Sequence, residues 1–310
     1  MSLAFRPITH LRHVGIAVPS YRQAVDFYQN VWGLTPVAQD SGVTFFGTPA
    51  DPEHYILRVR EDRQKRLDLI AFAADSPTDV DLLAERLIDR QIKIDRDPDK
   101  LSTPGGGYGL RFFDPDGRLI EVSADVELRP YRQLEAKESI PQKLSHVVIN
   151  TTNVHATKAF YEDVLGFRLS DWLGDFMCFM RSGPQHHILA ISQAPSHSLN
   201  HISFEMRGID EYMRGTGRMI RHGHRPLWGP GRHGAGDNTF SYFLDPFDNI
   251  IEYTTELEIV DEDTWEPSVY DPASPDTQDQ WGTGGAMTEV MLPIMLKTRD
   301  DVGLWTPSPM

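Results

Sequence analysis

Nine of the twelve histidines in this 310-residue chain, at positions 146, 155, 186, 187, 197, 201, 222, 224 and 233, fall between His146 and His233, while Cys178 is the only cysteine. Clustered imidazoles beside carboxylates suit a divalent cation; a lone thiol excludes an intramolecular disulfide framework and any CxxC redox or metal site. His146 and His201 stand in SHVVINT and LNHISFE, runs that alternate apolar and polar residues as strands do, and Glu252 closes a third such run, SYFLDPFDNIIEY. Two imidazoles and one carboxylate gathered on one face form the triad of non-haem Fe(II) oxygenases, which leaves positions open for substrate and dioxygen; zinc or another divalent ion accepts similar ligands. Three more polar residues lie close by in sequence. His187 follows His186 in HHILAI; in a strand the two rings point to opposite faces, so only one can reach the site. His233 sits in the glycine-rich GPGRHGAGD, nine residues before Tyr242, which in turn precedes Glu252 by ten.

The elements that must position these groups occur twice. RHVGIAV (12–18) and the amphipathic YRQAVDFYQNVWGL return as SHVVINT (145–151) and VHATKAFYEDVLGF, and LRFFDPDGRLIEV (110–122) returns as SYFLDPFDNIIEY (241–253). Each half repeats a strand, a helix and about three short strands, with helices expected at TDVDLLAERLIDR and IDEYMRGTGRMIRHG. The chain is therefore α+β, four βαβββ modules in two tandem domains. We place the first domain at 1–135 and the second at 136–256; a tail rich in Pro, Gly, Asp and Thr follows at 257–310, expected to be irregular and to wrap the second domain or touch another subunit.

The duplication is its own control. His146 aligns with His13, Glu252 with Glu121, His187 with Tyr55, but His201 aligns with Leu69. Leucine cannot bind a metal, so the second half is competent for a cation and the first is a metal-free copy, in which His13 and Glu121 take structural roles. The same register selects His187 to face the site and leaves His186 outside or in packing.

Thirty basic residues against 45 acidic ones leave a formal charge of −15, which repels nucleic-acid phosphate and anionic lipid. The amino-terminal MSLAFRPITHLRH lacks a signal peptide's apolar run, and no stretch approaches the roughly 20 apolar residues of a membrane span, so a cytoplasmic protein acting on a small molecule is expected. TPGGGYG (103–109) lacks the Lys-Ser/Thr of a phosphate loop, and Asp-Pro-Asp-Gly (114–117) lacks the further acidic ligands of a calcium loop; both are expected to be turns.

The paired βαβββ modules, together with SHVVINT, QHHILAI, LNHISFE and GRHGAGDNTFSYFLDPFDNIIE, resemble the vicinal oxygen chelate superfamily, and within it the two-domain type I extradiol catechol dioxygenases. The resemblance covers most of residues 8–256. It implies curved, open, mixed β-barrels with outer helices, and Fe(II), occasionally Mn(II), held by His146, His201 and Glu252. It also implies catalytic roles for His187, His233 and Tyr242, a small aromatic diol and O2 as substrates, a hydroxymuconic semialdehyde-type product, and a homo-oligomer. Two departures, Ser241 before the tyrosine and Asp248 in the turn after Asp-Pro, bear on subgroup and substrate rather than on the chemistry. Trp172, Phe176, Phe179 and Trp228 are candidates to line an aromatic pocket. Two other readings share the fold: a glyoxalase-like divalent-metal isomerase or lyase, which has four metal ligands, and a non-catalytic small-molecule binding protein, which dispenses with the metal.

Overall fold

The structure, a computed structural model, describes residues 5–297, 300 and 302–309. The first sheet contains β1 (Ile8–Val18), β2 (Thr35–Asp40), β3 (Val43–Gly47), β4 (Leu57–Glu61), β5 (Arg66–Ala74), β6 (Ile94–Lys100), β7 (Tyr108–Phe113) and β8 (Leu119–Ala124). The second contains β9 (Pro141–Thr151), β10 (Arg168–Leu173), β11 (Met177–Arg181), β12 (Leu189–Gln193), β13 (Ser198–Met206), β14 (Trp228–Arg232), β15 (Thr239–Leu244), β16 (Ile250–Thr254) and β17 (Ser268–Tyr270). Helices α1 (Tyr21–Asp26), α2 (Pro77–Asp89), α3 (Val154–Leu165) and α4 (Ile209–Arg221) each follow the first strand of a module.

The strand orders, β2-β3-β4-β1-β5-β8-β7-β6 and β14-β15-β16-β13-β9-β12-β11-β10-β17, show how the repeat is built. Within each module the first strand runs parallel to the last, and two modules join through antiparallel pairing of their first strands, β1 with β5 and β9 with β13. The result is two curved, open mixed sheets with outer helices, an α+β fold. The first and third helices end on Gly33 and Gly166, whose φ values of +97° and +74° suit glycine at a helix terminus. One departure is local: α1 is only six residues long and continues through a π-helical turn, Phe27–Trp32. That turn brings Trp32 against the second sheet, where its ring stacks on Tyr253 at 3.8 Å and meets Phe204 and Phe243 edge-on.

The tail is ordered over its described part. β17 adds to the edge of the second sheet beside β10, and two short helices follow, α5 (Pro275–Gln278) and α6 (Met291–Lys297). The chain then crosses to the first sheet, where Trp305 packs on Phe113 and the Ser308 hydroxyl accepts a hydrogen bond from Arg58 at 2.6 Å. The tail thus wraps the second half and also reaches the first. Among the described residues, no helix is long and apolar enough to cross a membrane.

Candidate metal centre

Register alone places four polar side chains in one row. His146 on β9 faces Ser203 on β13, Ser203 faces Glu252 on β16, and Glu252 faces Tyr242 on β15. His201, two residues before Ser203, joins the same inner face. The ligand atoms of His146, His201 and Glu252 all lie within 4.8 Å of one another, with Glu252 Oε2 3.1 Å from His146 Nε2 and 3.6 Å from His201 Nε2. All three side chains are buried.

The neighbouring groups settle which nitrogen each ring turns inward. His201 donates its Nδ1–H to Asn200 Oδ1 at 2.8 Å, which leaves its Nε2 with a lone pair toward Glu252, and His146, whose Nδ1 lies 3.0 Å from Ser145 Oγ, likewise turns Nε2 toward that carboxylate. Burial drives the pKa of each ring down to about 3, keeping both neutral as a ligand must be. Glu252 is pushed the other way by burial, with His201 and His233 opposing. His201 Nε2 and both Glu252 oxygens are buried without a hydrogen bond of acceptable geometry, although the Ser203 hydroxyl stands near enough to ease Glu252's ionisation. A buried carboxylate aimed between two neutral imidazoles lacks one thing, a cation. The residues present therefore fit a divalent metal.

Beside this cluster opens a cavity of about 400 Å³, lined by His187, His233 and Tyr242 together with Phe176, Phe179 and Trp228. Trp172 does not reach it; on β10 its ring packs against His155. The Tyr242 hydroxyl donates to His233 Nε2 at 2.9 Å, while His233 Nδ1 is 3.2 Å from the carbonyl of Gln278 in the tail. That leaves the Tyr242 oxygen lone pairs free to accept a hydrogen bond. Burial lowers the pKa of His233 and raises that of Tyr242 well above its usual value.

The expectation for His186 needs correction. His186 and His187 lie in a bend before β12 begins, held by the bridge Gln185 to Ile259 and by the His186 N–H bonded to the Glu258 carbonyl. Their rings do not diverge to opposite faces: the two Nδ1 atoms stand 2.9 Å apart, and His186 is fully buried.

The first sheet carries the corresponding row, His13, Ala71, Glu121 and Arg111. Arg111, standing where the second half has Tyr242, donates from Nε to Glu121 Oε2 at 2.8 Å, and Leu69 occupies the His201 position. The cavity here shrinks to about 10 Å³. A guanidinium supplies the charge that Glu121 requires, and burial, reinforced by Arg58, Arg12 and Arg111, holds His13 neutral.

Sequence reasoning missed several contributors. Asn200 carries no sequence signal beyond its adjacency to His201, and Asp171 none beyond being an acidic residue beside Ser170 in a run that forms a strand, where both prove buried. The Gln278 carbonyl, and Met287, Leu292, Met295 and Leu296 over the cavity, come from the tail, whose path no local pattern reveals.

A model of the Glyoxalase/Bleomycin resistance protein/Dioxygenase superfamily matches residues 10–122 and 143–253. The chain resembles the Mn(II)-bound glyoxalase from Novosphingobium aromaticivorans in crystal structure, with a TM-score of 0.92, 43% identity and coverage of 97% of this chain and 98% of that one. Metapyrocatechase 2 of Cupriavidus necator is 29% identical over 290 residues, 87% of this chain and 88% of the relative. The manganese-dependent 2,3-dihydroxybiphenyl 1,2-dioxygenase of Geobacillus genomosp. 3 is 25% identical over 262 residues, covering 77% and 82%.

Proposed function

Because the chain belongs to the Glyoxalase/Bleomycin resistance protein/Dioxygenase superfamily, we propose that it is an extradiol dioxygenase, cleaving a catechol-type ring with O2 beside its two hydroxyls to give a hydroxymuconic semialdehyde-type product. The observation that carries this reading is the three-ligand cluster of His146, His201 and Glu252 opening onto a cavity that also presents His187, His233 and Tyr242. Two histidines and one carboxylate on a single face are the donor set of non-haem Fe(II) oxygenases, so Fe(II) is the proposed metal, with Mn(II) the alternative. Such an ion, when bound, polarises both oxygens of a chelating catechol and lowers their pKa.

The remaining work falls to side chains. Tyr242, its proton committed to His233, offers an oxygen lone pair to a catechol hydroxyl and holds the ring in position. His187 lines the cavity beside His146, ring centroids 4.4 Å apart, and would hold a proton at its ring, releasing it to oxygen during cleavage. Phe176, Phe179, Trp228 and the tail's Met and Leu side chains exclude water. Among the described residues no Lys or Arg lines the cavity, which favours uncharged, apolar ring substituents. In this proposal residues 136–256 form the catalytic domain, 1–135 the metal-free one and 257–310 the tail, and the protein works in the cytoplasm as a homo-oligomer.

A glyoxalase-like isomerase is the second reading, favoured by the description of the Novosphingobium structure. Such a site has four ligands, and here a fourth acidic or imidazole group joins the three nowhere among the described residues. Oxygen uptake after anaerobic Fe(II) or Mn(II) loading, over mono- and bicyclic catechols, separates the two. His201→Ala is expected to lose both bound metal and oxygen uptake; full activity in that variant, or metal-dependent isomerisation without oxygen consumption, overturns the dioxygenase reading.

A further inference from the structure

Behind His187 lies a pair of groups that no step above uses. His186 and Asp171 are both completely buried. His186 Nε2 is 2.8 Å from Asp171 Oδ2, and His186 Nδ1 is 2.9 Å from His187 Nδ1. The second carboxylate oxygen, Asp171 Oδ1, accepts the backbone N–H of Ser268 on β17 at 2.6 Å. Gly236 closes the other side: a Cβ there would stand 3.0 Å from His186 Nδ1 and 3.2 Å from His187 Cε1, at a φ of +78°. Trp265, from the tail, covers His186 edge-on at 5.8 Å.

Two ring nitrogens at this distance can bond only if one carries a hydrogen and the other does not. An ionised carboxylate accepts and never donates, so His186 keeps its proton on Nε2, toward Asp171. In its neutral form, with the one ring hydrogen on Nε2, His186 presents a bare Nδ1, and the hydrogen between the two rings comes from His187.

We propose that Asp171 and His186 are positioning residues that fix the tautomer and ring orientation of His187, placing its hydrogen on Nδ1 and turning a bare Nε2 toward the substrate cavity. The arrangement extends to an imidazole pair the logic by which a carboxylate fixes a catalytic histidine. His187 therefore begins the cycle able to take a proton from the catechol and holds it for later delivery to oxygen. The effect on rate rests on the dioxygenase reading; the tautomer does not.

Asp171→Asn is the informative change because its outcome is dictated by the backbone. The Ser268 N–H keeps the amide oxygen as its acceptor, so the amide NH2 must face His186. The chain then reverses: His186 carries its hydrogen on Nδ1, and His187 carries its own on Nε2. Imidazole 15N shifts of the full-length, metal-free protein are expected to show His187 protonated on Nδ1 in the wild type and on Nε2 in Asp171→Asn. In metal-loaded enzyme, kcat is expected to fall about 100-fold with KM within about twofold and metal content unchanged. His186→Phe, seated among Phe179 and Trp265, removes the relay without a carboxylate change and is expected to lower kcat while leaving KM and metal content intact. A wild-type His187 lacking hydrogen on Nδ1, an imidazolium at His186, an unchanged tautomer in Asp171→Asn, or an undiminished kcat in both variants overturns the proposal. A reversed tautomer in an enzyme that consumes no oxygen with any catechol would support the positioning and defeat the dioxygenase reading, so the two failures are distinguishable.

Discussion

Glu252 and Glu121 occupy equivalent places and meet the same difficulty, a carboxylate buried in a sheet, by different means. Glu121 is neutralised by Arg111 at 2.8 Å; Glu252 faces two imidazoles kept neutral by burial. Four buried histidines, 13, 146, 187 and 201, have pKa values below the usual 6.5, in each case with burial the largest cause. In the unfolded chain they take up protons near pH 6.5, whereas the native rings stay neutral, down to about pH 3 for His146 and His201. The unfolded state therefore binds more protons below pH 6.5, and stability present above that pH is lost as pH falls toward 3. Each ring contributes up to about 1.4 kcal/mol per pH unit. Glu252, its pKa raised, acts with the opposite sign, costing stability as pH rises above 4.5. With His224 and His233 also lowered, six imidazoles oppose the raised carboxylates Asp51, Asp245, Glu252 and Glu258, so calorimetry of the metal-free protein should show a Tm lower at pH 5 than at pH 7.5; an equal or higher Tm at pH 5 contradicts the account.

At the scale of elements, much was legible because the sequence contains its own comparison. The row His146, Ser203, Glu252, Tyr242 and its counterpart His13, Ala71, Glu121, Arg111 arise from identical strand pairings, so a shared offset in sequence translates directly into shared geometry. The alternation rule failed at HHILAI. The strand there begins only at Leu189, and the bend before it is imposed by Glu258 and Ile259 of the tail, a distant contact that leaves no periodicity in the local sequence. Arg111 also escaped attention, since arginine in a strand usually means an exposed edge; here it is 1% exposed. Its removal tests the element. Arg111→Met should destabilise the protein by about 3–5 kcal/mol, because Glu121 is left charged and buried without its partner. Denaturant titration should show the shift, and Arg111→Met combined with Glu121→Gln should recover part of it; a neutral single variant would refute the ion pair's role.

Taken as a whole, the molecule has a core that ignores the boundary between the repeats. Trp32 belongs to the first half yet stacks on Tyr253, next to Glu252 in sequence, and its carbonyl accepts hydrogen bonds from the Tyr253 hydroxyl at 2.5 Å and from Arg218 at 2.9 Å. Phe72 meets Phe167 edge-on across the same boundary. Trp32→Ala should cost about 3–5 kcal/mol, as removal of a buried tryptophan does, and should lower metal occupancy although Trp32 touches no ligand. A single denaturation transition, moved as a unit, is expected; two transitions with the later one unmoved would show the halves to be independent.

The crossing of the tail adds an order of events. Residues 287–296 roof the cavity, Leu199 donates its backbone N–H to Asp300, and Ser308 is seated on Arg58 in the first sheet. Both sheets are synthesised before that segment leaves the ribosome, and domains generally fold as they emerge. The strands that carry His146, His201 and Glu252 are thus complete before the segment that covers the cavity emerges. A first half that failed to fold would leave Ser308 without Arg58, and the segment that roofs the cavity would lose its anchor on the first sheet.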